Sequence, residues 1–205
     1  ALIFVRLLAA AMFWLMALAG PVLAHPHVWI DAKTVIVFND DGSLKEIRHE
    51  WVFDEGFSAW TVQGLDTNGD GRVSSDEMQE LAEENLTGLK DFAFYTFAGE
   101  GAADISLIAG PSPAMRYENG RAIMNFSVVP ATPFHMARQL EVEVNDPEYY
   151  VAITFAEKGG ATMENAPQGC SIDYHQPKEL DPALADRLSQ IGPDQLELPP
   201  DLKAA

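Results

Sequence analysis

The residues best placed to do chemistry lie between Asp66 and Glu77, where the chain reads Asp-Thr-Asn-Gly-Asp-Gly-Arg-Val-Ser-Ser-Asp-Glu. Oxygen-bearing side chains recur at Asp66, Asn68, Asp70 and Ser74 before the closing Glu77. This is the spacing D-x-D/N-x-D/N-G-x5-E of an EF-hand calcium loop. A hard dication takes six to eight oxygen ligands at short range, and a loop that offers one at every second position can wrap around it. Asp66, Asn68 and Asp70 supply side-chain oxygens at loop positions one, three and five. Arg72 offers its backbone carbonyl, Ser74 stands where a bridging water usually helps, and Glu77 closes the site with both carboxylate oxygens. Gly71 falls at the sharp turn, where the absence of a Cβ lets the chain double back.

The same residues have a purely structural use. Ser74 and Glu77 spell a capping box that starts a helix with no metal bound. Only one such loop is present, whereas EF-hands usually work in pairs. Three ligand carboxylates without a partner hand point to weak affinity, in the range of about 10⁻⁴–10⁻³ M typical of extracellular modules. The sequence therefore suggests a calcium staple more than a switch.

A second set of donors stands at His25-Pro26-His27. Residues 1–24 read as a secretory leader: Arg6 gives the positive start, Leu7 to Ala19 the apolar stretch, and Val22-Leu23-Ala24 the small residues of a cleavage site. Cleavage after Ala24 would make His25 the mature terminus. Its free amine and the imidazoles of His25 and His27 form a borderline-soft set suited to nickel, cobalt, zinc or copper. Pro26 removes an amide that a square chelate would need, but the amine and ring of His25 could grip one metal together, as in a copper brace. A frayed, solvated terminus is the competing account.

The elements that must hold these residues are legible around them. Val28, Ile30, Ala32, Thr34, Ile36 and Phe38 alternate with more polar residues, and Ile47, His49, Trp51 and Phe53 do the same. Both patterns describe half-buried strands. A two-residue Asp41-Gly42 turn between them pairs Ile36 with Ile47, Lys33 with Glu50 and Ile30 with Phe53. On the face given to Ile47 and Trp51, His49 is a hydrogen-bonded core residue rather than a ligand. Asp54 can cap a helix bearing Phe57, Trp60 and Leu65. Met78, Leu81, Ala82, Leu86 and Leu89 recur at helical spacing beyond the loop.

Further on, Phe92 to Phe97 reads as extended, Asp104 to Ala109 as a short strand, and Asn119-Gly120 as a hairpin turn between Ala114–Tyr117 and Arg121–Val129. Leu140–Val144 and Tyr149–Phe155 read as another hairpin. Cys170 to Tyr174 reads as a last strand, and Pro182 to Ile191 as a short amphipathic helix. The fold class expected is α+β, an antiparallel β-sandwich-like domain with an inserted helix-loop-helix. Its parts are a leader at 1–24, a β-rich domain at 25–176 with the EF-hand insertion at about 54–90, and an extension at 177–205.

Composition narrows the function classes. The formal net charge is −18, and loss of Arg6 with the leader makes it more negative still. Such a surface argues against nucleic acid and against anionic lipid. After cleavage no segment would insert stably in a membrane. Cys170 is the single cysteine, so no internal disulfide is available, and a small buried apolar role suits it. Asp173 and His175 form a weak pair without a nucleophile, and His135 stands alone. No phosphate loop, G-x-S-x-G or H-E-x-x-H motif is present. Nothing in the sequence calls for catalysis, and no enzyme activity is expected.

The combination of His25-Pro-His-Val-Trp-Ile-Asp31, Trp51-Val-Phe-Asp-Glu-Gly-Phe57, the acidic loop and Asn145-Asp-Pro-Glu-Tyr-Tyr150 resembles the bacterial family called domain of unknown function 1007. That resemblance implies a periplasmic component of an uncharacterised ABC-type transport system, often found beside nickel/cobalt-type membrane transporters. It supplies no catalytic residues. A chain of this length without βαβ repeats does not resemble a two-lobed solute receptor. The expected function is that of a periplasmic metal-binding protein, accessory to a membrane metal transporter. Ca²⁺ would sit at Asp66, Asn68, Asp70, Arg72, Ser74 and Glu77, and Ni²⁺, Co²⁺, Zn²⁺ or Cu²⁺ at His25 and His27. The alternatives are a calcium-stapled protein-interaction module and a copper enzyme with an amino-terminal His brace, whose third nitrogen would come from His49, His135 or His175.

Overall fold

A computed structural model describes residues 26–156, 159–175, 181–191 and 199–203. The expected leader and His25 lie outside the described residues. The protein is a mixed α+β structure made mostly of sheet, with few helices.

Strand β1 (Val28–Phe38) turns Val28, Ile30, Ala32 and Thr34 inward and Trp29, Asp31 and Lys33 outward. Strand β2 (Leu44–Phe53) buries Ile47, His49, Trp51 and Phe53 on the same side. The period-two pattern of the sequence thus becomes one wet and one dry face. Ile30 faces Phe53, Lys33 faces Glu50 and Ile36 faces Ile47, the register expected. The turn is nevertheless longer than two residues. Asn39 N–H donates to Ser43 O, 2.8 Å away, and Asp41 Oδ1 accepts from Ser43 N–H and Ser43 Oγ at 2.9 and 2.6 Å. A register shift between Val37 and Phe38 absorbs the difference. This β-bulge returns the deeper pairs to the alignment that a tighter turn would give.

Strand β2 is followed in the sheet by β7 (Arg121–Pro130). The far edge of β7 is shared by β5 (Leu107–Ala109) and β6 (Ala114–Glu118). Glu118 faces Arg121 across Asn119 and Gly120, both at positive φ, the type I′ geometry expected of Asn-Gly. On its other edge β1 pairs in parallel with β9 (Val151–Phe155) and then with β10 (Ala161–Glu164), end to end. Thr34 N–H donates to Gly160 O at 2.8 Å. A Cβ on Gly160 would lie 2.5 Å from Ala156 O, so the step between these two strands requires glycine.

A second sheet has the order β4 (Ala103–Ile105), β3 (Thr96–Glu100), β8 (Glu141–Val144). Its Ala98 is buried in the same core as Trp51 and Phe126, and its Thr96 is buried against His49. Helices α1 (Glu55–Thr61) and α2 (Gln79–Leu89) lie between β2 and β3 in sequence. α2 buries Ala82 and Leu86, and Met78 just before it is fully buried, as the helical spacing required.

Other expectations fail, among them the single strand from Asp104 to Ala109, which divides into β4 in the second sheet and β5 in the first. Phe92 to Phe97 is not continuously extended. Lys90–Tyr95 is a tight irregular helical turn in which Ala93, Phe94 and Tyr95 all take positive φ, and β3 starts only at Thr96. Leu140–Val144 and Tyr149–Phe155 do not pair, because the buried Asp146 carboxylate accepts the backbone N–H groups of Glu148, Tyr150 and Val151, each at 2.9 Å. That turn sends β9 to the other sheet. The stretch from Cys170 to Tyr174 forms no strand, and the place beside β1 is filled by β9 and β10. Cys170 itself is only half-buried. The late helix is α3 (Pro182–Ser189), capped by Asp181.

Candidate metal-binding loop and the amino-terminal histidines

Helix α1 begins where Asp54 Oδ1 accepts Phe57 N–H at 2.9 Å. Its other oxygen accepts Trp29 N–H at 3.0 Å, and Asp54 N–H donates to Trp29 O at 2.9 Å. The helix is thereby fixed to the first residues of β1. It ends at Thr61, so Leu65 lies beyond it, and Trp60 is 69 % exposed rather than buried.

The acidic loop folds back on Asp66. Its Oδ2 accepts Gly71 N–H at 2.9 Å and its Oδ1 accepts Asp70 N–H at 3.1 Å. Asn68 Oδ1 also accepts Asp70 N–H at 2.8 Å, and Asp70 Oδ1 accepts Arg72 N–H at 2.8 Å. Gly69 and Gly71 both take positive φ, which permits the two reversals. Val73 packs against the core, as a residue tucked under the loop should.

Glu77 reaches across the loop. One oxygen accepts Thr67 N–H (2.9 Å), Thr67 Oγ1–H (3.0 Å) and Asn68 N–H (3.2 Å). The other accepts Ser74 N–H and Ser74 Oγ–H at 2.9 Å. Hydrogen bonds from Ser74, then from Thr67 and Asn68, hold its carboxyl down at about 2, since donors favour the charged form. The Ser74–Glu77 capping box is therefore formed, although regular helix begins only at Gln79. Among the described residues no three His, Cys, Asp or Glu side chains converge as a metal cluster. The loop carboxylates are turned onto backbone amides instead. Thr67, absent from the expected ligand set, holds Glu77 by both its amide and its hydroxyl, and the loop consensus leaves that position blank.

His27 is tethered to the fold. Its N–H donates to Tyr150 O at 2.8 Å, and its ring lies 4.7 Å from that of Tyr150. Its Nε2 is buried. His49 is a core residue, with Nδ1 2.9 Å from Thr34 Oγ1 and Nε2 3.1 Å from Thr96 Oγ1. Burial pushes it down to about 3, so it is neutral at physiological pH. With both ring nitrogens engaged, His49 offers no metal a lone pair. His135 sits near Asp41 at the hairpin tip, 3.7 Å away. It is separated from His27 by the length of β1, eleven residues or roughly 35 Å at about 3.3 Å per residue. His175 is highly exposed and 4.0 Å from Asp173.

The family described as "Protein of unknown function (DUF1007)" matches residues 10–203. The chain belongs to this family. A distant relative, an uncharacterized protein of Haemophilus influenzae, is 23% identical over 171 residues, covering 82% of this chain and 78% of its own. No solved structure matches. In this DUF1007 protein three of the four segments that carried the resemblance, 25–31, 51–57 and 145–150, meet at one end of the large sheet. Asp54 from 51–57 clamps Trp29 of 25–31, while Asp146 shapes the turn that brings Tyr150 of 145–150 onto His27. No helix among the described residues is long and apolar enough to cross a membrane.

Proposed function

We propose that this protein is a secreted, periplasmic metal-binding protein that holds calcium in an EF-hand loop and serves as an accessory to a membrane metal transporter. The two sheets, joined by the Thr96–His49 contact, fit a sandwich-like domain carrying α1, the loop and α2 as an inserted helix-loop-helix. One observation carries the calcium reading: the loop curls around Asp66, with Gly71 N–H bonded to its carboxylate. All the expected donors are oxygens, the preference of a hard cation. Asp66, Asn68, Asp70, the Arg72 carbonyl, Ser74 and Glu77 would hold the ion, with Glu77 exchanging its amide and hydroxyl donors for the metal. Calorimetric titration of chelator-stripped protein tests this. Calcium should bind once, weakly, and not at all to Glu77→Gln. Equal binding by that variant would overturn it.

A second reading is favoured by the tether on His27. Because its backbone and ring are held by Tyr150, the segment is not frayed at His27, and His25 and His27 could share Ni²⁺, Co²⁺, Zn²⁺ or Cu²⁺. The copper-brace alternative finds no third nitrogen in His49, which is committed, or in His135, which is at the far end of β1. Titration of wild type and His27→Ala with each metal decides this reading: heat confined to the wild type supports it, and no heat in either removes it.

A further inference from the structure

We propose that the outer face of the small sheet, with the open edge of β8, is a docking surface for an extended cationic segment of a partner protein. Phe97 faces Glu143, and Gly99 faces Glu141 on one side and Asp104 on the other. Thr96 and Ala98 point into the core, so Phe97, Gly99, Asp104, Glu141 and Glu143 share the outward face. Phe97 is 37 % exposed. Gly99 places no side chain between the Glu141 and Asp104 carboxylates, and the Ala103 carbonyl oxygen lies 3.0 Å from where its Cβ would stand.

The charge on this face is one-sided. Strands β3, β4 and β8 contain Glu100, Asp104, Glu141 and Glu143 and no lysine or arginine. Glu100 is committed to the amides of Ala137, Arg138 and Gln139, and Glu141 accepts Gln139 Nε2–H at 3.2 Å. Among the described residues, Asp104, Glu141 and Glu143 are in no ion pair. The outer face of the large sheet differs. There Lys33 and Arg116 bracket Glu50 at 2.9 and 3.0 Å, Arg121 meets Asp31 at 3.0 Å, and Arg48 pairs with Glu164. That face answers its own charges; on the small sheet Arg138 stands beside Glu100, and among the described residues Asp104, Glu141 and Glu143 are left without a cation.

Among the described residues strand β8 pairs with β3 and with no other strand, which leaves its other edge open to an added strand. A second copy of this chain would bring the same glutamates against each other, and an anionic lipid surface would also be repelled. A chain alternating lysine or arginine with apolar residues satisfies both the edge and the face. Its cations would meet Glu141 and Glu143, and one could lie over the Phe97 ring.

The test is an amide-resonance titration of the purified protein with a blocked Lys-Val-Lys-Val-Lys peptide and with its Glu-Val-Glu-Val-Glu counterpart. The lysine peptide should shift residues 141–144 and 96–99, more weakly at high salt, and the glutamate peptide should not. Glu141→Lys/Glu143→Lys should weaken binding at least about tenfold. Glu141→Gln/Glu143→Gln, gentler on the strand, should show the same direction if the first variant fails to fold. Glu80→Lys/Glu84→Lys on α2, equal in charge change to the first variant, should leave binding within about twofold. Shifts centred on 66–84, equal losses in the two lysine variants, or no shifts would overturn the proposal.

Discussion

The 66–77 loop and the core beneath β2 both gather polar side chains, in opposite surroundings. In the core, His49 is 2 % exposed and spends both nitrogens on threonine hydroxyls, while the buried Asp146 is satisfied by three backbone amides. These groups are locked, because an unsatisfied polar group there costs far more than the bond returns. In the loop, Asp66, Asp70 and Glu77 also hold backbone amides, but at the surface, where water can replace each bond at little cost. A carboxylate so placed can exchange its amides for a cation. Polar groups in the core therefore specify the fold, and those in the loop remain available to a ligand.

The largest effect should come from breaking a locked group. Asp146→Ala leaves three amides without their acceptor and should cost about 3 kcal/mol, read from urea unfolding, with no effect on calcium affinity. Next comes His49. Its folded pKa of about 3 lies below the ordinary 6.5, so below that value the unfolded chain takes up a proton that the folded chain refuses. Its contribution is complete above pH 6.5 and declines as pH falls toward 3. Between pH 6.5 and 5, before most carboxylates titrate, stability should drop by about 2 kcal/mol. His49→Leu, though less stable overall, should lose that slope.

The loop should respond in the opposite manner. Glu77→Gln should change cation-free stability little, yet abolish stabilisation by calcium. For a site of about 1 mM affinity, 10 mM calcium adds roughly 1.4 kcal/mol, visible as a rise in Tm that the variant lacks. Because the Glu77 pKa is lowered to about 2, the hydrogen bonds that pin the loop persist above the ordinary glutamate value and fade as pH falls toward 2. The smallest effect belongs to the exposed ladder: Lys33→Ala should cost less than about 1 kcal/mol.

The parts of this fold legible in the sequence are those governed by local rules. Alternation set the faces of β1 and β2, cross-strand matching of Lys33 with Glu50 set their register, and Asn119-Gly120 set its hairpin. The partners of β9 and β10 were hidden, since parallel pairing with β1 is a long-range choice with no local turn to announce it. The Asn-Asp-Pro sequence at 145–147 carried a usable signal: a buried aspartate accepting amides ahead of it is an Asx-type turn, which redirects a chain as readily as it closes a hairpin. The left-handed run at Ala93–Tyr95 carried none, because aromatic residues ordinarily avoid that region. The loop residues were read from their spacing, and the grip of Thr67 on Glu77 was not, because it depends on how the loop closes.

The most direct measurement follows the amide resonances of Thr67, Asn68, Gly71 and Ser74 while calcium is added to chelator-stripped protein. The proposed calcium site predicts that Thr67, Asn68 and Ser74 shift together in the millimolar range as Glu77 releases them. Gly71 should keep its bond to Asp66 and sense the ion through it. Unmoved resonances at these four positions up to tens of millimolar calcium would contradict the calcium site and leave Glu77 as a helix cap alone.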